Sequence, residues 1–169
     1  MGLHYTLVDL TQERLKALLN YDQTTGAFAW VRSAKGVKRS KGLSAGCRRH
    51  DGYVVIRIDN QLYLAHRLAW LYVHGVWPTH DIDHINGVRG DDRIVNLRDV
   101  PRVRNLENQR KAKPKNKAGL LGVTLCAGRY LARIQVAGRS RHLGSFDTAV
   151  EAHHVYLAAK RDLHAGCTL

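Results

Sequence analysis

Residues 81–98 read Asp81-Ile-Asp83-His84-Ile-Asn86-Gly-Val-Arg-Gly-Asp-Asp-Arg-Ile-Val-Asn96-Leu-Arg98. Asn96 follows His84 by twelve residues, and a further asparagine, Asn105, follows Asn96 by nine. A carboxylate, a neighbouring imidazole and two downstream amides are the groups that hydrolysis at a single metal ion requires. The stretch therefore predicts a metal-dependent hydrolytic site.

This stretch is acidic within a basic chain. The 169 residues carry a formal net charge of +13, whereas residues 81–99 hold five aspartates and three arginines. Positive charge flanks them, because residues 31–50 contain seven Lys and Arg with no acid, and residues 101–118 have a net charge of +6. An acidic patch between basic segments predicts a bound cation and a polyanionic partner. A basic ribosome-associated protein, or a merely soluble basic protein, is the alternative interpretation of the charge.

The sequence argues against a membrane protein and against a protein stabilised by disulfides. No apolar run approaches the ~20 residues of a transmembrane helix, so we expect no membrane partner, and Met1–Tyr5 does not resemble a secretory signal. Three widely spaced cysteines, Cys47, Cys126 and Cys167, form no Cys-x-x-Cys pair. We therefore expect neither a disulfide framework nor a structural zinc, and a cytoplasmic location.

Residue patterning predicts an α+β fold. Apolar spacing and turn residues define the elements of the first module. In order these are a helix over 11–21, a strand over 27–31, a basic loop over 35–50, a hairpin of 53–59 and 62–64, a helix over 65–73, a short ribbon of 82–84 and 97–99, and a helix from Pro101 to about Arg110.

A second module follows a basic linker. Residues 111–118 alternate lysine with other residues around Pro114, which predicts an extended, mobile segment. Three strands over 122–126, 130–136 and 139–143 are then expected to pack on a helix that begins at Asp147 or Thr148. We thus predict domains over 1–110 and 119–169, joined by 111–118.

The candidate site residues have separate roles. Asp83 offers a hard anionic oxygen and Asn105 a neutral one, a pair suited to Mg²⁺, with Mn²⁺ as an alternative. His84 is a candidate general base, because an imidazole can take a proton from water, and Asn96 would orient it from across the ribbon. The competing interpretation is a plain polar turn, since Asn86-Gly87 is a turn signal by itself.

Four motifs of this region together resemble the HNH endonucleases of phages and group I introns. They are Asp83-His84-Ile-Asn-Gly87, Asp91-Asp-Arg93, Asn96-Leu-Arg98 and Asn105-x-x-Asn108. The resemblance implies a ββα-metal nuclease core in which His84 is the general base, Asp83 and Asn105 hold the metal, and Asn96 supports the ribbon. We assign Arg93, Arg98 and Asn108 to DNA contacts. Two positions depart from the family, because Asp92 stands where Asn is usual and Pro101 replaces the Ser or Thr that caps the helix.

The upstream residues extend this resemblance to about residues 15–110. His66 lies there, in the apolar segment Ala65-His-Arg-Leu-Ala-Trp70. Its environment favours a core histidine satisfied by a hydrogen bond over a role in the site.

The C-terminal module resembles the DNA-binding domain of plant ethylene-response transcription factors. The motifs are Gly122-Val123, Tyr130-x-Ala132-x-Ile134, Leu143-Gly-Ser-Phe146-Asp147, Glu151-Ala152 and Tyr156-x-x-Ala159. The resemblance implies a three-stranded sheet that lays its outer face in the major groove. The candidate readers are Arg133, Gln135, Arg139, Arg141 and His142, and the face taken by the last three stays open. A solvated sheet face is the alternative.

Lysines of the linker complete the expected DNA surface. Lys111, Lys113, Lys115 and Lys117 would follow phosphates and add affinity without sequence information, although such a run also keeps a linker soluble. Together these features predict a homing-type endonuclease of a phage or mobile element. We expect it to nick double-stranded DNA as a monomer or DNA-induced dimer, in the host cytoplasm. A non-catalytic, sequence-specific repressor with the same fold is the rival prediction.

Overall fold

The computed structural model describes residues 10–31 and 42–168, so part of the predicted loop over 35–50 lies outside the described residues. These residues form an α+β structure of small sheets and helices. The elements are α1 Gln12–Leu18, β1 Leu19–Tyr21, β2 Phe28–Trp30, β3 Cys47–Arg48, β4 Val54–Ile58, β5 Gln61–Leu64, α2 Ala65–His74, β6 Asp81–His84, the 3₁₀ turn Ile94–Asn96, β7 Leu97–Val100, α3 Arg102–Glu107, β8 Val123–Cys126, β9 Arg129–Val136, β10 Arg139–Phe146 and α4 Ala149–Leu163.

The first helix is shorter than predicted. Thr11 caps it by accepting a hydrogen bond from the backbone N–H of Arg14 at 3.2 Å, but α1 ends at Leu18. Leu19 and Tyr21 instead belong to β1, which pairs antiparallel with β2. Both are buried while Asn20 between them is exposed, so alternation prevails over helical spacing once a partner strand is available.

The predicted hairpin and second helix are confirmed. β4 pairs antiparallel with β5, and the turn between them holds Asp59 and Asn60 at φ 46° and 66°. Helix α2 ends at Gly75, whose φ of 77° is the left-handed conformation that closes many helices. The short strand β3 pairs with the other edge of β4, inside the segment predicted as a loop.

One hydrophobic core supports the ribbon. It includes Leu15, Ile56 and Leu68, and it extends to Ile82 of β6 and Leu97 of β7. Strands β6 and β7 form a two-stranded sheet, as predicted. Because an apolar side chain of each strand is anchored in the core, the polar residues on either side are held at fixed positions.

A separate core forms the C-terminal sheet. Its strand order is β10-β9-β8, all antiparallel. Val123, Ala132 and Ile134 of the sheet pack with Ala152 and Tyr156 of α4. A capping box of Thr148 and Glu151 begins this helix. The predicted three strands and helix are confirmed, with β10 three residues longer than predicted.

Contacts divide the chain into two compact units, Met1–Asp99 and Val100–Leu169. Helix α3 therefore groups with the C-terminal sheet. Its end is tied to the C-terminal residues by a hydrogen bond from Gly166 N–H to Glu107 Oε2 at 2.9 Å and by one from Arg110 to Thr168 Oγ1 at 2.7 Å. The functional boundary predicted over 111–118 stays a prediction.

The basic segment 111–118 is turned rather than extended. Backbone hydrogen bonds join Lys113 to Asn116 and Asn116 to Gly119. The Asn116 amide also donates to the carbonyls of Leu120 and Val123 at 2.9 and 3.0 Å. The expectation of an extended segment was wrong because Asn116 supplies side-chain hydrogen bonds that favour turns. No helix of the described residues has both the length and the apolar character needed to cross a bilayer.

Candidate active site

His84 is buried at the end of β6 and paired with a carboxylate. Its Nε2 lies 3.0 Å from Oδ1 of Asp92, and the two residues are only 4% and 3% exposed. A carboxylate can only accept, so the imidazole donates from its Nε2–H. Asp92 was not predicted as a site residue. The available signal was its identity at a position where the resembled family usually has Asn.

A second histidine packs against the first. The rings of His66 and His84 meet edge to face with centroids 5.0 Å apart. Burial lowers the pKa of His66 to about 3, with further contributions from His84 and Arg67. Its buried Nδ1 has no hydrogen-bond partner among the described residues. The predicted core position of His66 is confirmed, and the hydrogen bond predicted with it is not made by Nδ1 in the part of the chain that the structure describes.

Asp83 precedes His84 and is equally buried, at 5% exposure. Arg98 of β7 donates to its Oδ2 from Nε at 2.9 Å and from a terminal nitrogen at 2.7 Å. A predicted metal ligand and a predicted DNA contact thus form an ion pair across the ribbon. The guanidinium compensates the charge of the buried carboxylate.

Asn96 secures the loop between the strands. Its Oδ1 accepts from the backbone N–H of Asn86 at 3.0 Å, and its Nδ2 donates to the carbonyl of Asp91 at 2.8 Å. Both side-chain groups of Asn96 therefore bond to the loop, and the hydrogen bond that orients His84 is the one that Asp92 accepts. The assignment of Asn96 as a catalytic residue stays a prediction.

A second ion pair stabilises the same loop. Arg93 donates to both oxygens of Asp91, at 2.7 and 2.6 Å. This hydrogen bonding, together with one from Asn86, lowers the pKa of Asp91 to about 2. The Arg93 side chain is 44% exposed, so its guanidinium is also accessible to solvent.

The part of the chain that contains this site resembles a known protein family. Residues 63–107 match the family model described as HNH endonuclease. The match supports an HNH nuclease acting on DNA, and it spans the segment from β5 through α3. Searches of curated proteins and of solved structures each found no match.

The HNH region contains oxygen donors suited to a hard divalent ion. HNH nucleases generally use such an ion. The buried carboxylate of Asp83 already lies 2.7 Å from a positive charge, the guanidinium of Arg98. Asn105 lies on α3, in the second unit, and is partly buried. A carboxylate and an amide oxygen fit Mg²⁺ or Mn²⁺ by their chemistry.

Sheet register resolves the faces of the predicted DNA readers. All five are exposed. Arg133 pairs with His142, and Gln135 pairs with Ser140, so Arg133, Gln135 and His142 share the outer face. Arg141 pairs with the buried Ile134, which places it on the face turned toward α4, and the alternation along β10 puts Arg139 there as well.

The remaining predicted contacts belong to the segment after α3. Asn108 is 4% exposed, and its Oδ1 accepts a hydrogen bond from Thr168 Oγ1 at 2.6 Å. Its amide is thus engaged within the second unit, and a DNA contact from it stays a prediction. All four lysines, Lys111, Lys113, Lys115 and Lys117, are exposed.

Proposed function

We propose that the protein is a metal-dependent DNA endonuclease with a ββα-metal core, in which His84 is the general base. The buried pair of His84 and Asp92 carries this proposal. His84 directly follows Asp83, and all three residues lie within residues 63–107, which match the HNH family model. Asp83 and Asn105 would hold the divalent ion, with Mg²⁺ preferred. When bound, that ion would neutralise the scissile phosphate and stabilise the leaving oxygen.

The chain's own residues would prepare the attacking water. Asp92 accepts the Nε2–H of His84, so Nδ1 is the ring nitrogen that can take a proton from water. Arg98 balances the charge of Asp83 until a cation binds. Asn96 and Asp91 keep the loop after β6 in place, which holds the imidazole in one orientation during proton transfer.

The C-terminal sheet would address the enzyme to DNA, in the manner of the plant domain it resembles. Arg133, Gln135 and His142 share its outer face, and the four exposed linker lysines would add phosphate contacts. A homing-type enzyme of a phage or mobile element, acting in the host cytoplasm and nicking one strand per active site, fits this arrangement. A DNA-induced dimer would then cut both strands.

Plasmid nicking tests the enzymatic proposal. Supercoiled plasmid incubated with Mg²⁺ should become open circular, and EDTA should prevent this while a gel-shift assay still detects binding. Persistent binding without cleavage, across several DNAs and divalent ions, would favour the non-catalytic repressor instead.

Substitutions on the C-terminal sheet test whether it recognises the DNA target. We expect Arg133→Ala to weaken binding to a DNA target, selected from a random pool with the unaltered protein, by at least about tenfold, since a good base contact contributes ~1–3 kcal/mol. Arg161→Ala removes the same charge from an exposed position of α4 and serves as the control. Equal effects of the two substitutions would contradict a reading role for the outer face.

A further inference from the structure

Three buried side chains converge beside the ribbon, each from a different part of the first unit. His66 lies on α2, His84 on β6 and Asp92 in the loop before the 3₁₀ turn. Each offers one possible ligand atom, and these atoms lie within 4.8 Å of one another. Within residues 10–31 and 42–168, no other group of three His, Cys, Asp or Glu side chains has this spacing.

His66 is a buried imidazole with a nitrogen that the described residues leave unsatisfied. Its side chain is 5% exposed, and its buried Nδ1 has no hydrogen-bond partner in the described parts of the chain. A buried polar atom without a partner lowers stability, and coordination of a cation would satisfy this nitrogen. With a pKa of about 3, the ring is neutral at physiological pH, and neutral imidazole is the form that coordinates metals.

We propose that His66, His84 and Asp92 form a site for a transition-metal ion such as Zn²⁺, and that occupation of this site switches the nuclease off. The binding half stands independently, whereas the inhibitory half rests on the proposed function of His84. Two imidazoles and a carboxylate are a donor set that Zn²⁺ favours. Mg²⁺ prefers oxygen ligands and water, so the activating ion has little affinity for this cluster.

The geometry requires a modest contraction. In tetrahedral zinc sites with bonds of ~2.1 Å, the ligand atoms stand about 3.4 Å apart. His84 Nε2 and Asp92 Oδ1 are already 3.0 Å apart. Because no pair exceeds 4.8 Å, the His66 nitrogen would have to approach by at most about 1.4 Å. Water would complete the coordination.

Proton accounting explains the inhibition. In the metal-free protein the Nε2–H of His84 faces Asp92, which leaves Nδ1 to accept a proton from water. Zn²⁺ would take the Nε2 lone pair, and the Nε2 proton would move through solvent to Nδ1. A protonated Nδ1 cannot accept another proton from water, so the general base is lost without any net change in the number of protons on the ring.

Cobalt binding to the full chain, without DNA, tests the site itself. Co²⁺ substitutes for Zn²⁺, and an intense visible absorption reports tetrahedral coordination. The three cysteines, two of them exposed, are first replaced by Ser so that thiolates cannot contribute. We expect one tetrahedral Co²⁺ per chain, lost in His66→Asn and retained in His80→Asn, an exposed histidine beside Asp99. A spectrum that is octahedral, or insensitive to His66→Asn, would overturn the proposal.

Zinc titration of plasmid nicking tests the switch. Each variant is measured in saturating Mg²⁺ and normalised to its own zinc-free rate. Zn²⁺ should stop nicking and a chelator should restore it, and His66→Asn should raise the half-inhibitory concentration at least about tenfold, unlike His80→Asn. Inhibition unaffected by His66→Asn would overturn the switch. A tetrahedral Co²⁺ spectrum from a protein that never nicks would support the site and remove the proposed function.

Discussion

His84 Nε2 and Asp92 Oδ1 lie 3.0 Å apart in a region where both residues are almost completely buried. The hydrogen bond fixes the orientation of the imidazole and the nitrogen that carries its proton. The usual family residue at position 92, Asn, would offer the same kind of acceptor without the charge. The carboxylate is therefore a positioning group with an additional capacity to bind a cation.

The first prediction separates the acceptor from the charge at position 92. Asp92→Asn retains an oxygen that accepts from Nε2–H, so we expect the single-turnover nicking rate to stay within about fivefold of the unaltered protein. Asp92→Leu removes the acceptor and should lower that rate at least about tenfold, with KM unchanged, since positioned proton transfer contributes 10²–10⁴-fold. Equal losses in both variants would contradict a positioning role through the hydrogen bond.

A second prediction concerns the ion pair of Asp83 and Arg98. Arg98→Met deprives a 6% exposed carboxylate side chain of its guanidinium, which should lower the free energy of unfolding by up to about 3 kcal/mol in EDTA. Saturating Mg²⁺ should recover part of this loss, because a cation at Asp83 replaces the missing charge. Thermal unfolding with and without Mg²⁺ measures the difference.

Arg93→Met is the control for that experiment. It breaks the pair with Asp91, whose arginine is 44% exposed, so we expect a loss of less than about 1 kcal/mol. A Mg²⁺-induced rise in Tm that is the same for the unaltered protein, Arg98→Met and Arg93→Met would argue against metal binding at Asp83.

A third prediction follows from the pKa of His66. Burial depresses it to about 3 in the folded chain, against ~6.5 when unfolded. Between pH ~3 and ~6.5, His66 binds a proton only in the unfolded state. The contribution of His66 to the free energy of unfolding is therefore complete above pH ~6.5 and is lost as the pH falls toward ~3. Urea unfolding in EDTA should show stability falling more steeply from pH 7 to 5 than in His66→Leu, by on the order of 1 kcal/mol per pH unit. Identical slopes would contradict the depressed pKa.

A fourth prediction concerns the C-terminal core. Gly122 has a φ of 76°, and a Cβ there would lie 2.0 Å from the Tyr156 ring. Gly128 has nearly the same φ, 77°, with nothing within 4 Å of its Cβ position. Gly128→Ala should cost only the backbone strain, about 1 kcal/mol, whereas Gly122→Ala should cost at least about 2 kcal/mol more from the clash. Hydrogen exchange of β9 amides measures both, and equal costs would contradict the packing of Tyr156.

Local pattern was sufficient to predict the ribbon, the hairpin and the C-terminal sheet with its helix. These elements have strong alternation or clear turn residues, as in the stretch from Tyr53 to Leu64. Element ends that depend on distant partners were not predictable. Leu19–Tyr21 satisfies helical spacing equally well until β2 is present, and Cys47–Arg48 is a strand only because β4 lies beside it.

The candidate site shows the same limit. The spacing of Asp83, His84 and Asn96 identified the region, and residues 63–107 match the HNH family there. The contact between His84 and Asp92, eight positions apart in the chain, depends on how the loop between them folds back. The approach of His66 depends on the packing of α2. Neither relationship has a sequence pattern that would distinguish it from an ordinary loop or a core histidine.

Plasmid nicking by His84→Ala tests the central claim most directly. With supercoiled DNA and saturating Mg²⁺, the account predicts that cleavage falls by at least about a hundredfold through loss of the general base, while DNA affinity stays within about twofold. Cleavage at the unaltered rate, or a loss of binding as large as the loss of cleavage, would contradict the assignment of His84.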